Sequence, residues 1–282
     1  MSEATAHPRG LDLPRDETGL ATSATATRRL EELLPEFLRS LTEDAGADRL
    51  VVTLDGGLDT SLAAALAVDA VGTDRVIALV MPARLSDEAS AREAEAVASM
   101  LGVDYRRVPL QPVLTAFQSA VGTANEPADD VHAVDNALER FRMACAYYVA
   151  NVSNGLVVGA LDRTDRLVGT PTKYGDTGVD CHLLGDLYRT EVRALADRVG
   201  VPEEIRDRQP RRGFRSGTAT DRLDIDAETL DRLLRRRIDE GRDAETVARE
   251  VGVDTETVTR VAEWCATTRH KRHQPPKPST YV

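Results

Sequence analysis

Lysine is almost missing from this chain. Only Lys173, Lys271 and Lys277 are lysines and every other basic side chain is arginine, set against 47 Asp and Glu and a net charge of −11. Such an excess of carboxylates argues against a protein that lives by neutralising nucleic-acid phosphates. An acidic, Asp-rich, lysine-poor surface suits a cell interior at high salt, where screening suppresses self-repulsion and hydrated carboxylates maintain solubility. Drift in a GC-rich genome gives the same composition, and the two explanations can coexist.

Cysteine is scarce too. Cys145, Cys181 and Cys265 lie far apart and form no metal-ligand spacing. His132 and His182 have no companions at zinc spacing, which leaves them as solvated or packed histidines. No apolar run approaches the ~20 residues needed to cross a bilayer, and the polar, Ala/Thr-rich stretch from Met1 to Thr27 has no signal-peptide core and reads as a loose tail. There is no internal repeat or low-complexity block. The expectation is a reduced, cytoplasmic protein without membrane contact.

Hydrophobic residues make up 41% of the chain, enough for a substantial core. Residues 28–44 place Leu30, Leu33, Leu34, Phe37, Leu38 and Leu41 at helical spacing. Leu50 to Leu54 reads as a buried strand, followed by a turn, Asp55 to Thr60, and an Ala/Leu-rich helix over 61–71. Strands over 75–81 and 105–108 flank a helix over 90–101, and a long helix over 133–153 leads into a strand over 155–160. Alternating strands and helices imply parallel strands joined by right-handed crossovers, hence an α/β fold with a doubly wound parallel sheet. The stretch beyond Asp224 is charged and helical.

Chemistry starts at the first turn. Glycines after a strand and before a helix let backbone N–H groups approach a phosphate, and the helix N-terminus favours negative charge. Gly56-Gly57-Leu58-Asp59 fits that pattern but is neither the Rossmann fingerprint nor Walker A. A tight turn capped by Asp explains it equally well.

Four further motifs follow in order. Asn136-Ala137-x-x-Arg140-x-Arg142-Met143 lies on the long helix. Then come Thr172-Lys173-Tyr174-Gly175-Asp176-x-Gly178-Val179-Asp180 and Gly185-Asp186-Leu187-Tyr188-Arg189-Thr190-Glu191-Val192-Arg193, and near the end His270-Lys271-Arg272. Together with the glycine turn these resemble the ammonia-dependent NAD synthetases, members of the pyrophosphatase-loop ATPases. The resemblance covers about Arg28 to Pro276, a single domain between the loose tail and a short end, 277–282.

What the resemblance implies is specific. The fold would be the adenine-nucleotide α-hydrolase-like, Rossmann-like sheet with added N- and C-terminal helices. ATP would adenylate the nicotinate carboxylate of deamido-NAD, and ammonia would displace AMP to give NAD. With no glutaminase domain ahead of the ligase, free ammonia is the expected nitrogen source. Mg²⁺ would be held by Asp59 and Asp165, and the protein would be a homodimer. ATP would lie against Thr53, Leu54, Asp55, Gly56, Gly57, Leu58, Asp59, Thr60, Ala160, Arg189 and Arg211, with Asp59 and Arg189 in the catalytic roles. Arg140, Lys173, Asp180, His270 and Lys271 match the deamido-NAD contacts. Two of the three lysines are in this last set, which points to a task a guanidinium does not serve. Lys271 also reads as part of a basic tail.

The ATP positions depart from the family's Ser-Gly-Gly-x-Asp-Ser loop. Asp55 and Thr60 replace its serines, Asp165 replaces a Glu, Ala160 a Thr, Arg189 a Lys, and Arg211 a small hydroxyl residue. Thr60, Asp165 and Arg189 are conservative changes; Asp55, Ala160 and Arg211 are not. Two other readings stay open: a catalytically impaired paralogue that binds deamido-NAD or NAD as a sensor or partner subunit, and a DNA-binding regulator acting through the helix pair over 244–261. Asp254 and Glu256 in the second helix would face phosphates and favour a structural pair. The helix at 28–44 and the one carrying Trp264 are expected to offer apolar surface to a second subunit.

Overall fold

The computed structural model describes residues 13–121, 130–206 and 225–278. Five parallel strands form one sheet in the order β3-β2-β1-β4-β5: β1 (Arg49–Leu54), β2 (Val76–Val80), β3 (Asp104–Arg107), β4 (Gly155–Gly159) and β5 (Cys181–His182). Around it run α1 (Ala24–Asp44), α2 (Leu58–Val71), α3 (Glu88–Leu101), α4 (Gln111–Val121), α5 (Val131–Ser153), α6 (Arg163–Val168), α7 (Arg189–Val199) and α8 (Glu203–Arg206). A C-terminal group follows, α9 (Ala227–Leu234), α10 (Ala244–Val251) and α11 (Thr255–Thr267).

β1 is the centre, pairing with β2 from Leu50↔Val76 to Leu54↔Val80 and with β4 from Arg49↔Gly155 to Val52↔Val158. Its alternation sends Leu50, Val52 and Leu54 to one face, where they pack with α1, α2, α3 and α7, and Val51 to the other, under α4 and α5. Covered on both faces, β1 and β2 are near-continuous apolar runs, as parallel strands require. The chain leaves β1 toward β2 on one side and later enters β4 on the other, so a crevice opens at the strands' C-terminal ends between β1 and β4. A separate apolar cluster joins α6, α9, α10 and α11 around Leu167, Val168, Tyr188, Leu230, Leu233, Leu234, Val247, Val258 and Val261.

Two expectations need correction. The N-terminal segment is not loose as far as Thr27: Leu20 and Ala21 are fully buried, the Ala21 N–H donates to Glu191 Oε1 at 2.7 Å, and α1 begins at Ala24 behind an N-cap at Ser23. The apolar stripe of α1 is spent inside the chain, since Leu30, Leu34 and Leu38 lie in the sheet's core, and Trp264 packs on the C-terminal cluster. Neither helix therefore presents its apolar stripe to a second subunit. Exposed apolar side chains sit instead on α4 (Val113, Phe117, Val121) and α5 (Tyr148, Val152). α10 and α11 bury their apolar faces in the C-terminal cluster, and Asp254 caps α11 by accepting from the Thr257 N–H at 2.6 Å. That packing fits the structural pair favoured from the sequence. Asp130, Asp162, Asp226, Asp243 and Asp254 all serve as N-caps, which absorbs part of the Asp excess.

Candidate active site

β1 ends at Leu54 and the chain reverses through Asp55, Gly56 and Gly57 into α2. Gly56 has φ +79°, and a Cβ there would lie 2.9 Å from the Ser90 carbonyl oxygen, so no other residue fits. Gly57 caps α2 with no side chain of its own. The acceptor comes from Asp55, whose Oδ1 takes the Gly57 N–H at 2.8 Å and the Thr60 hydroxyl at 2.6 Å. A resident carboxylate thus occupies two donors of the kind this turn would offer a phosphate. Thr53, Leu54 and Leu58 frame the turn, with Leu54 in the core.

Across the crevice β4 ends at Gly159, Ala160 is half-buried, and Asp162 caps α6 by accepting the Asp165 N–H at 2.7 Å. Arg189, the first residue of α7, reaches into the gap. Its Nη2 lies 2.7 Å from Asp162 Oδ2, 2.7 Å from Asp165 Oδ2 and 3.2 Å from Asp59 Oδ2. One ligand oxygen from each of the three aspartates falls within 4.8 Å of the others, a hard-oxygen donor set of the kind a divalent cation takes. Burial opposes the charge on Arg189, and the pull of Asp162, Asp59, Asp165 and Asp231 overturns it, so the guanidinium stays protonated. Asp162 is 0% exposed. Burial, together with Asp165 and Asp59 close by, pushes its carboxyl well above the usual range despite Arg189. Three carboxyl groups share one cation, and a divalent ion would relieve the crowding that raises the Asp162 carboxyl.

The residues matched to the dinucleotide lie on α5, in the 172–180 segment and just after α11. Arg140 on α5 donates through Nε to the Lys173 carbonyl at 3.2 Å, and the Lys173 ammonium stands 5.2 Å from the Tyr174 ring centroid. Asp180 is pinned by the Val157 N–H at 2.7 Å and the Tyr147 hydroxyl at 2.9 Å, which fixes the 172–180 segment to β4 and α5. Lys271 donates to the Gly169 carbonyl at 2.7 Å, just beyond α6, and His270 Nδ1 lies 3.2 Å from the Thr267 carbonyl. The structure therefore joins Arg140 to Lys173 directly and ties Lys271 to the chain leading into that segment. Arg211 lies outside the described residues.

Asp162 was not singled out from the sequence, although an Asp three residues before Asp165 at a helix start is a legible N-cap signal. His182 is pushed down to about 4 by burial and by Arg166, a packed neutral histidine, and His132 is exposed. The cysteines are all free thiols.

The model of the NAD synthase family matches residues 30–275. The NH(3)-dependent NAD(+) synthetase of Halobacterium salinarum is 35% identical over 257 residues, covering 91% of this chain and 95% of that protein. Its namesake in Methanosarcina acetivorans is 35% identical over 248 residues, 87% of this chain and 96% of that one. Among solved structures, the NH3-dependent NAD synthetase of Campylobacter jejuni, in complex with nitrate, superposes with a TM-score of 0.74 at 22% identity, covering 90% of this chain and 99% of that one. The likeness at that identity is one of fold.

Proposed function

This chain belongs to the NAD synthase family, and from that premise we propose that its crevice joins ammonia to deamido-NAD, driven by ATP. The observation that carries the reading is the meeting, at one switch point, of a glycine turn on a helix N-terminus with a cluster of three carboxylates and an arginine. In this reading the nicotinate carboxylate attacks the α-phosphorus of ATP, pyrophosphate leaves, and an acyl-adenylate forms. Ammonia then adds to the acyl carbon and AMP departs with one of the former carboxylate oxygens.

The chain's own groups have three tasks. The turn at Gly56 and Gly57 and the positive end of α2 receive phosphate oxygens. Arg189 faces the charge that grows on the leaving pyrophosphate. Arg140, Lys173 and Asp180 hold the dinucleotide so that its carboxylate meets ATP, and that approach is itself a large share of the rate. Asp59, Asp165 and the buried Asp162 would hold Mg²⁺, which when bound supplies positive charge to the phosphates.

Separate calorimetric titrations with ATP–Mg²⁺ and with deamido-NAD test the reading, which expects both to bind. Lys173→Ala should weaken deamido-NAD by ~1.5–3 kcal/mol, the worth of a charged hydrogen bond, and leave ATP unaffected. Equal deamido-NAD affinity in wild type and variant would remove Lys173 from the site.

The same proposal extends to assembly and medium. A homodimer is expected, using the exposed apolar side chains of α4 and α5, which Phe117 and Phe141 join edge to face at 5.1 Å. The net charge of −11 suits a salt-rich cytoplasm. Light scattering with thermal melts at roughly 0.1 and about 3 M KCl reads both, because screening shortens the Debye length from ~10 Å to less than ~3 Å. A monomer mass at high salt would contradict the dimer, and an unchanged melting temperature would contradict the salt adaptation.

A further inference from the structure

One side chain of the C-terminal helices reaches the first turns of both α6 and α7. Asp231 on α9 is 0% exposed. Its Oδ1 accepts the Thr164 hydroxyl at 2.6 Å, and its Oδ2 accepts both the N–H and the hydroxyl of Thr190, at 2.7 and 2.6 Å. The Thr164 oxygen in turn accepts the Arg189 N–H at 3.0 Å. Thr164 directly precedes Asp165, and Thr190 directly follows Arg189. One carboxylate therefore clamps the first turns of α6 and α7 together at the two residues whose side chains meet in the crevice.

Packing alone does not explain an aspartate here. Its neighbours on the buried face of α9 are Leu230, Leu233 and Leu234. A leucine would fill such a site without the desolvation cost a buried carboxylate carries. Burial pushes the Asp231 carboxyl up to about 6, against the hydrogen bonds from Thr164 and Thr190, and those three donors use it as an acceptor.

We propose that Asp231 is a positioning residue for adenylation, holding Arg189 and Asp165 in register through Thr190 and Thr164. The proposal rests on the amidation reading above. Because Asp231 acts through the backbone of α6 and α7, its loss should disturb the ATP side of the crevice and leave the dinucleotide side alone.

The test compares wild type with Asp231→Asn, Thr164→Val, the double variant and Thr164→Ser, each checked for an intact melting transition. Asn keeps the volume but cannot accept from both threonines as the carboxylate does, and Val removes only the relay to Arg189. Each single change should lower kcat for pyrophosphate release roughly 10- to 100-fold, as expected for a misplaced catalytic group. ATP–Mg²⁺ binding by calorimetry should weaken roughly tenfold while KM and Kd for deamido-NAD stay within about twofold. The double variant should be no worse than the weaker single one, since both changes cut one chain of contacts. Thr164→Ser, which keeps the hydroxyl, should restore wild-type values.

Wild-type kcat and ATP affinity in folded Asp231→Asn and Thr164→Val would overturn the proposal, as would an equal loss on the deamido-NAD side. If Asp231→Asn does not fold, the Thr164 pair decides the same question. A wild type that binds both ligands yet releases no pyrophosphate would contradict the amidation reading alone, and the ATP-binding comparison would still decide Asp231.

Discussion

Asp55→Ser should release pyrophosphate from ATP and deamido-NAD roughly 30- to 150-fold faster than the wild type. In the structure the Asp55 carboxylate takes the Gly57 N–H and the Thr60 hydroxyl, so it fills part of the proposed phosphate cradle. A carboxylate ~4 Å from a phosphate charge costs on the order of 4 kcal/mol at an effective dielectric of ~20. If about 2–3 kcal/mol of that survives screening and Mg²⁺, the stated range follows. The repulsion grows as charge builds on the leaving pyrophosphate, so its removal helps the transition state more than the bound ground state and appears in kcat. Serine also frees the Gly57 N–H and supplies a hydroxyl donor. A secondary cost of ~0.5–2 kcal/mol in stability is expected from the lost contacts at the start of α2. Robust wild-type turnover that falls in Asp55→Ser would contradict this and make Asp55 an adapted part of the machinery.

The second large effect concerns Arg189. Replacing it with methionine leaves Asp59, Asp162 and Asp165 facing one another with their shared cation gone. Removing one partner of a buried ion pair costs ~3–5 kcal/mol, which for a chain of this size is a fall in Tm on the order of 10 °C without divalent ions. Mg²⁺ should restore more stability to the variant than it adds to the wild type, because it no longer competes with a guanidinium for the carboxylates. Arg189→Lys, which keeps the charge, should stay close to wild type. A metal-free melting temperature in Arg189→Met equal to that of wild type would show that the cluster is not held by this arginine.

The sequence carried the fold where hydrophobic runs were long. β1, β2, β4, α1 and α5 were legible from periodicity, with ends displaced by a few residues because caps such as Ser23 and Asp130 lie ahead of the apolar pattern. β5 has two residues and α6 six, too short for any periodic signal. α4 buries only Leu114, so its pattern has little to distinguish it from a loop. Within the candidate site, the resemblance led to Asp59, Asp165, Arg189, Arg140 and Lys173; Arg140 lies within α5 and the others at turns or in the first turn of a helix. Asp231 carried no such mark. It stands 67 residues from Thr164 and 41 from Thr190, and only the folding of α9 against α6 and α7 brings them into contact. The role of Asp55 was undecidable before the structure for a related reason: the same residue caps a helix or repels a phosphate depending on where its oxygens point.

The most direct test follows the oxygen. Deamido-NAD labelled with oxygen-18 in its nicotinate carboxylate is incubated with the protein, ATP, Mg²⁺ and ammonium, and the products are read by mass spectrometry. Amidation through an acyl-adenylate predicts NAD, pyrophosphate and AMP in equal amounts, with one labelled oxygen in each AMP and one retained in each NAD amide. Unlabelled AMP, or ATP consumed with no amide formed, would contradict the account.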